Sequence, residues 1–325
     1  MLVRHFVRLF AHTQLLAARE SAEQTLIGGQ AVIEGVMMRC PHSYCVAVRK
    51  PDGEIITEES PLPKVSEKYP AFKLPVLRGL GTLGQALWLG ITALRFSANV
   101  AAPEGKAGGK RVEISPWVMG LNLAFSFAFF IFLYKFVPLY ATTQLQGWMP
   151  ALKGRVAFNL VDGLIRIALF VAFLLLISRW KDIRRVFEYH GAEHRVVFNF
   201  ESGRPLAVET AQSFSTFHPR CGTSFLMVVM VVAILAYTLL PFDSFAFRFA
   251  GRILLLPVIA GVSYEIIRFA ARRRGGLLAG LAAPGLWLQR ITTQPPSDEQ
   301  TAVAIHALEG AMALEKTQGG ELVIA

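Results

Sequence analysis

Four long apolar runs occur in the chain after residue 116. They are Trp117–Leu139, about Asn159–Ser178, Thr223–Pro241 and about Arg252–Ala270. A helix needs about 20 mostly apolar residues to cross a bilayer, so the pattern predicts two pairs of transmembrane helices, in residues 117–178 and 223–270. The fourth run is weaker because it contains Pro257 and Glu265. The alternative for a weaker run is a buried core helix.

The pattern before residue 74 is different and predicts β structure over residues 27–73. Ala31–Arg39 and Tyr44–Lys50 are rich in β-branched and apolar residues. Pro51-Asp52-Gly53 favours a tight turn, because Pro presets φ and Gly permits a positive φ. Glu54–Glu58 then returns as the second arm of a hairpin.

Residues 74–116 predict a glycine-rich helix, Leu74–Val100, followed by a linker. The helix could span the membrane, re-enter it or lie on its surface, and it could also line an interface between copies of the chain. Residues 1–26 interleave Arg4, Arg8 and Arg19 with apolar side chains, which is typical of an amphipathic interfacial helix or of a disordered extension. In residues 271–325, Ser297–Gln300 matches a capping box, and a packing helix to about Lys316 should follow.

Composition agrees with a membrane protein. Hydrophobic residues make up 53% of the chain and charged residues only 17%, against roughly 25% in soluble domains. These values argue against a disordered chain and against a fully soluble enzyme. Three cysteines are too few for a disulfide scaffold.

The net charge of +10 is distributed unevenly. Most Lys and Arg residues lie in residues 1–116, in 179–222 and after Ala270, whereas the connections 140–158 and 242–251 hold few. Basic loops favour the cytoplasmic side, which predicts a multi-pass protein of the cell membrane with both termini in the cytoplasm. Because the charge follows the membrane flanks, we expect the lipid bilayer as a partner and no nucleic acid.

The fold class predicted is therefore a polytopic α-helical membrane protein with about four transmembrane helices. A small mixed α/β cytoplasmic part, including the N-terminal β-hairpin, should accompany them.

Candidate chemistry is concentrated in the cytoplasmic loop 179–222. His190, Glu193 and His194 form an H-x-x-E-H sequence. On a helix, His190 and His194 would share one face about 6 Å apart, where two imidazoles can converge on one metal ion. Glu193 would lie beside them as a general base, as in zinc peptidases of the inverted motif. The alternative is a pair of surface histidines on a membrane-flanking helix.

A second cluster, His218-Pro219-Arg220-Cys221, precedes the third apolar run. His218 and Cys221 can both face one ion across a Pro-imposed turn, and imidazole and thiolate are ligands that Zn²⁺ prefers. The alternatives are a buried thiol for Cys221 and an interfacial charge near a phosphate for Arg220.

Glu265 is a further candidate ligand, because an ionisable group inside a span is costly and by default a functional candidate. Pairing with Arg268 competes with this interpretation. Asp162 and Arg166, four residues apart in the second run, are expected to form an ion pair on the helix surface.

Gln30 and Glu34 are polar points in the apolar segment Ile27–Arg39, where Gly28 and Gly29 allow close backbone approach. Glu34 could accept a hydrogen bond from a metal-ligating histidine. The alternative is a packed strand in which Glu34 pairs with Arg39.

Several of these segments resemble the YqhQ-like family of bacterial membrane proteins, DUF1385. They are Ile27–Arg39 (IGGQAVIEGVMMR), Ala47–Gly53, Tyr189–His194 (YHGAEH), Phe198–Gly203, His218–Ser224 (HPRCGTS), Arg252–Arg268 and Pro284–Thr292 (PGLWLQRIT). The similarity covers roughly residues 27–312 and implies several membrane helices and a metal-dependent activity, without supplying a reaction. Cys40 departs from it, at a position where a small residue is expected.

The sequence thus predicts a metal-dependent hydrolase with a divalent ion, Zn²⁺ by its ligands, held by His190, His194, His218 and either Cys221 or Glu265. The substrate would be peptide or lipid-linked, close to the membrane. If His190, His194, His218 and Cys221 all bound the ion, its coordination would be closed and the site structural. A non-enzymatic scaffold, assembly factor or transport-associated protein is the alternative.

Overall fold

A computed structural model describes residues 27–63, 65–101, 116–219, 221–241, 244–272 and 279–317. Three predicted features lie outside these residues. They are the N-terminal extension 1–26, the linker that follows Ala101, and the single residue Arg220. The strands are β1 (Gly28–Val32), β2 (Gly35–Arg39), β3 (Ser43–Arg49) and β4 (Ile55–Pro61). The α-helices are α1 (Val65–Lys68), α2 (Leu77–Ala101), α3 (Pro116–Ile131), α4 (Val137–Trp148), α5 (Arg155–Ile177), α6 (Lys181–Glu201), α7 (Val208–Gln212), α8 (Gly222–Thr238), α9 (Phe245–Leu254), α10 (Leu256–Arg272), α11 (Ala279–Thr292) and α12 (Asp298–Thr317).

The strands form one antiparallel sheet in the order β1-β2-β3-β4. The predicted hairpin is confirmed: β3 pairs with β4, and the turn between them is closed by the Lys50 N–H donating to the Glu54 carbonyl at 2.8 Å. The β structure predicted for Ala31–Arg39 is confirmed, but the segment contains a turn. It holds the end of β1 and all of β2, joined at Ile33 and Glu34, with Glu34 at a φ of 52°.

Both faces of the sheet are covered. Alternate residues of the central strands point to opposite faces, so Val36, Met38, Cys45 and Ala47 pack against α6 and α12, while Met37, Tyr44, Val46 and Val48 pack against the C-terminal half of α2. Two apolar cores therefore lie on either side of β2 and β3.

Helix α12 begins with the predicted capping box. The Gln300 N–H donates to Ser297 Oγ at 3.2 Å, and the Ser297 N–H donates to Gln300 Oε1 at 2.9 Å. The helix packs on the sheet through Val303, Ala307 and Leu308, which are fully buried. The prediction of a C-terminal packing helix is confirmed.

Helix α2 joins the sheet to the apolar helices. Its C-terminal half packs on the sheet through Leu89 and Ala93, and its N-terminal half lies against α10, where Gly79 leaves room for Tyr264. Its glycines at 79, 81 and 90 face side chains of the same chain.

Within the described ranges, two helical segments are long and apolar enough to cross a membrane: Gly120–Trp148 and Arg155–Ile177. The bent pair α9 and α10, with 48° between them, makes a third if it forms one span. Helix α8 is apolar but has only 17 residues. The helices indicate association with a membrane, whereas four spans stay a prediction.

The ends of these helices differ from the expected ones. The first span continues beyond Leu139 to Trp148 through a π-helical turn, Phe132–Phe136. The fourth run was expected to begin at about Arg252, but Arg252 belongs to α9, and the helix breaks at Leu255.

Asp162 and Arg166 are buried rather than on the helix surface. Asp162 Oδ2 accepts a hydrogen bond from Arg166, and Asp162 Oδ1 accepts one from Arg252 Nη1 at 2.5 Å. The expectation of an ion pair on the helix surface was wrong. Both residues lie on α5, and a neighbouring helix, α9, covers them with Arg252.

Candidate metal centre

Helix α6 carries the H-x-x-E-H residues in one turn, as the prediction required. The ring centroids of His190 and His194 are 4.5 Å apart. His194 is only 2% exposed, and Glu193 is 7% exposed. His194 therefore does not belong to a solvated membrane-flanking face, and His190 is half-buried beside it.

Backbone carbonyls orient both imidazoles through Nδ1. His190 Nδ1 lies 2.8 Å from the Thr292 carbonyl at the end of α11, and His194 Nδ1 is hydrogen-bonded to the Thr216 carbonyl in the loop before α8. Because a carbonyl only accepts, the proton is assigned to Nδ1 of each ring, which leaves Nε2 as the lone-pair donor. This arrangement is usual for histidines that bind a metal.

Cys221 completes a group of three ligand atoms. It is the residue before the first turn of α8, and its Sγ lies 3.3 Å from His190 Nε2. One nitrogen from each histidine and Cys221 Sγ all lie within 4.8 Å of one another. Two tetrahedral ligands of Zn²⁺ are roughly 3.5 Å apart at ordinary bond lengths, so these residues fit a small thiophilic cation.

A cleft of about 100 Å³ opens beside these atoms. Glu193 lines it, with Oε2 3.5 Å from His194 Nε2. Strand β1 forms the opposite wall at Gly28 and Gly29, and a Cβ at Gly29 would lie 2.6 Å from Glu193 Cγ. Of the two glycines predicted to allow a close backbone approach, Gly29 makes one, toward Glu193, whereas a Cβ at Gly28 would meet nothing within 4 Å.

His218 lies next to the group but is not one of its three members. Its ring centroid is 5.7 Å from that of His194, and its Nε2 is 3.6 Å from Glu201 Oε2. Gln289 holds its backbone with two hydrogen bonds, each 2.8 Å. Phe198 packs on its ring at 4.4 Å.

Burial keeps the imidazoles of His194 and His218 neutral near pH 7 by lowering their pKa values. It lowers the pKa of His218 to about 4, against an opposing effect of the Glu193 charge. Burial also lowers the pKa of His194. A neutral imidazole is the form that binds a metal.

Three other predicted residues, Glu265, Glu34 and Gln30, do not join the group. Glu265 accepts hydrogen bonds from the Arg78 guanidinium and, at 3.3 Å, from the Val76 N–H. Glu34 pairs with Arg185 and lies 3.4 Å from the Tyr189 hydroxyl. Neither expected partner of Glu34, a ligating histidine or Arg39, makes this contact. The β1–β2 turn instead directs the Glu34 carboxylate toward the first half of α6.

Gln30 faces the opposite side of the sheet. A Cβ at Gly90 in α2 would lie 2.8 Å from its Oε1, so its side chain is directed away from the cleft. Arg220, expected beside Cys221, is outside the described residues.

The sequence did not identify the groups that orient the ligands. The carbonyls of Thr216 and Thr292 have no signal in the sequence, since any residue supplies a carbonyl. From the sequence, Gly191 is only a weak point in the helix, because glycine has a low helix propensity. In the structure a Cβ at this position would clash with the Gln294 carbonyl, and this approach brings the Thr292 carbonyl to His190. Gln289 did lie in one of the family-like segments, without a role.

Comparison with known proteins agrees with the resemblance. The sequence model of DUF1385, described as a protein of unknown function, matches residues 74–314. The chain is 34% identical over 301 residues to the uncharacterized protein YqhQ of Bacillus subtilis (strain 168), covering 89% of this chain and 92% of that protein. No solved structure matches the chain. The chain belongs to the DUF1385 family.

Proposed function

We propose that the protein is a membrane-bound, metal-dependent hydrolase. His190, His194 and Cys221 would hold one divalent ion, Zn²⁺ by the chemistry of the ligands. The observation that carries the proposal is the convergence of these three ligand atoms within 4.8 Å at the edge of a cleft that a carboxylate also lines.

Three protein ligands and an adjacent cleft favour a catalytic site over a structural one. Structural zinc sites usually have four protein ligands, whereas catalytic sites keep one position for water or substrate. When bound, the ion would supply a more acidic water and a Lewis acid. Glu193 would accept a proton within the cleft. Its Oε2, which lies 3.5 Å from His194 Nε2, supports this role.

The membrane setting limits the substrate class. Cys221 directly precedes the apolar helix α8, so the cleft is at the end of the helical bundle, near the lipid headgroups. The distribution of Lys and Arg favours the cytoplasmic face for this end. A peptide segment close to the membrane or a lipid-linked molecule would reach the cleft from there.

Glu193→Gln separates the enzyme from a structural site. The amide is similar in size but accepts no proton, and we expect loss of turnover with retained fold and retained metal. Untargeted mass spectrometry of membrane lipids and peptides, in cells that express only this variant, should show a species that accumulates relative to wild type. Exposed Glu209→Gln is the matched control and should show no accumulation. A Glu193→Gln profile identical to wild type would contradict a hydrolase.

The position of His218 favours one alternative, a structural site. Its ring is 5.7 Å from that of His194, so a small rearrangement would make it a fourth protein ligand and close the coordination. The cluster would then hold the loop before α8 against α6 in a scaffold or assembly protein. His218→Ala distinguishes these functions: it should lower metal content if His218 is a ligand and leave it at one ion per chain if the site has three.

A further inference from the structure

A second cluster of charged residues lies inside the apolar bundle, far from the His/Cys group. Lys135, Asp162, Arg166 and Arg252 are each at most 5% exposed, and Arg252 is among the largest fully buried side chains of the described residues. They come from the π-helical turn, α5 and α9. Helix α8 starts at the metal-ligand group and ends at this cluster, about 25 Å away at 1.5 Å per residue.

Asp162 does not balance the cations around it. Its two oxygens accept from Arg166 and Arg252, and Lys135 Nζ donates to the Tyr237 hydroxyl at 2.9 Å. Even a neutral Lys135 would leave two guanidiniums, which stay protonated in proteins, for one carboxylate. Buried charge without compensation is costly and in membrane segments is usually functional.

The donors of the cluster are not all used. Arg252 Nη2 donates to Asn159 Oδ1 at 2.9 Å, and Arg166 Nε donates to the Tyr134 carbonyl at 3.1 Å, which the π-helical turn presents. Arg166 Nη1 is buried and has no hydrogen-bond partner within the described ranges. Arg166 is not among the residues that line the cleft beside Arg252, so this atom adds to the unbalanced positive charge of the cluster and is not itself a contact in the cleft.

A narrow cleft leads from this cluster to the surface. Arg252, Asn159 and Tyr237 line its inner end, and the other lining residues include three further cations, Lys153, Arg155 and Arg248. No carboxylate is among the lining residues of this part of the structure. About 10 Å³ is open to a water-sized group, which is room for one oxygen atom.

The surroundings of the cleft are those of a membrane interface. Phe158 and Leu240 supply apolar walls, and Arg248 stacks on the Phe158 ring at 4.4 Å. Trp148, 86% exposed, ends the preceding helix, and tryptophan is enriched at the level of the headgroups.

We propose that this cleft binds a phosphate group, with one phosphate oxygen entering beside Arg252 and the others facing Lys153, Arg155 and Arg248. Guanidinium groups match phosphate geometry and form strong charge-assisted hydrogen bonds with it. The phosphate could belong to the headgroup of an anionic lipid or to free phosphate, and both would neutralise the excess positive charge. This site is independent of the metal-dependent function proposed above.

Lys153→Gln with Arg155→Gln tests the proposal, because both side chains are exposed and their replacement should preserve the fold. The control is Arg179→Gln with Lys181→Gln, which removes the same charge from exposed positions at the other end of α5. The probes are phosphatidylglycerol, phosphatidylcholine and inorganic phosphate, added to delipidated full-length protein in neutral detergent. Native mass spectrometry measures the bound species.

We expect phosphatidylglycerol to bind wild type and the control, and to bind the Lys153/Arg155 variant at least about tenfold more weakly, since that variant loses two charge-assisted contacts to the phosphate. If inorganic phosphate binds with the same dependence and competes with the lipid, the site is one for free phosphate. Equal affinity of the variant and the control for phosphatidylglycerol, or no binding of either anion to wild type, would overturn the proposal.

Discussion

In the candidate metal centre, the position of the Glu193 carboxylate depends on a few residues where the backbone of one element contacts a side chain of another. Gly29 is one of these. Its backbone in β1 lies against Glu193, and the Met37 carbonyl of β2 is on the other side. Because neither the helix nor the paired strand can move freely, the carboxylate is held toward the two imidazoles.

Gly29→Ala should therefore disturb the cleft, while Gly28→Ala should not. A Cβ at Gly29 would lie 2.6 Å from Glu193 Cγ and 2.8 Å from the Met37 carbonyl, whereas one at Gly28 would meet nothing within 4 Å. We expect the first variant to lose roughly 1–3 kcal/mol of stability, as overpacked sites do. Thermal unfolding of the purified protein measures this, and identical midpoints for the two variants would refute the assigned contact.

Local sequence signals predicted the histidine pair and Cys221 as candidate ligands but not the groups that orient the two rings. The i, i+4 spacing of His190 and His194 is a property of one helix and could be read directly. The hydrogen bonds from their Nδ1 atoms reach Thr216 and Thr292, which are distant in sequence and act through the backbone. Glu265 was a candidate by its cost in a membrane, but its partner Arg78 is 187 residues away.

At the level of elements, the predicted features that were confirmed are those set by adjacent residues. The β3–β4 hairpin follows from its turn residues, and α12 follows from its capping box and apolar positions. The division of Ala31–Arg39 into two strands was missed because the turn between them contains Ile33 and Glu34, with neither Gly nor Pro. The break at Leu255 was not predicted, although Pro257 lies two residues beyond it, because Pro257 indicated only a weaker run. Proline disrupts a helix that continues through it and is tolerated in the first turn of a new one, here α10.

Helix α12 is fixed to the sheet by an acid at its C-terminal end as well as by its apolar face. Glu315 is fully buried. It accepts hydrogen bonds from Ser43 Oγ at 2.6 Å and from the His42 N–H at 3.0 Å, and His42 Nδ1 lies 2.8 Å from its other oxygen. These contacts attach the β2–β3 turn to the helix.

This arrangement predicts acid sensitivity. Burial raises the pKa of Glu315, but the hydrogen bonds from Ser43 and His42 outweigh it, so the pKa is below its usual value. A depressed pKa contributes stability above the unfolded value of about 4.3, and this contribution is lost as the pH falls through the folded pKa.

Glu315→Gln should lower the thermal midpoint at neutral pH and reduce its dependence on pH below about 4.3. Exposed Glu309→Gln on the same helix is the control and should behave as wild type. Midpoints measured across the acid range would speak against the role of Glu315 if the two variants gave the same curve.

At the level of the whole molecule, the two proposed sites differ in chemistry and lie at opposite ends of the apolar bundle. The metal-ligand group is formed where the sheet, α6 and the start of α8 meet, and the basic cleft is formed where α5, α8 and α9 meet. Apolar run lengths predicted a membrane protein, and exposed large side chains on the first span agree with lipid contact: Trp117, Leu121, Phe125 and Phe127. Span number was harder to predict because α8 is short and α9–α10 is bent.

The central claim is that His190, His194 and Cys221 bind one zinc ion. X-ray absorption at the zinc edge, on full-length protein purified in detergent, tests it most directly because nitrogen and sulfur neighbours are distinguished. The account predicts about one zinc per chain with one sulfur near 2.3 Å and nitrogen or oxygen neighbours near 2.0–2.1 Å. Cys221→Ala should lose the sulfur signal, and His190→Ala with His194→Ala should lose the metal. Protein without bound metal, or metal without a sulfur neighbour in wild type, would contradict the account.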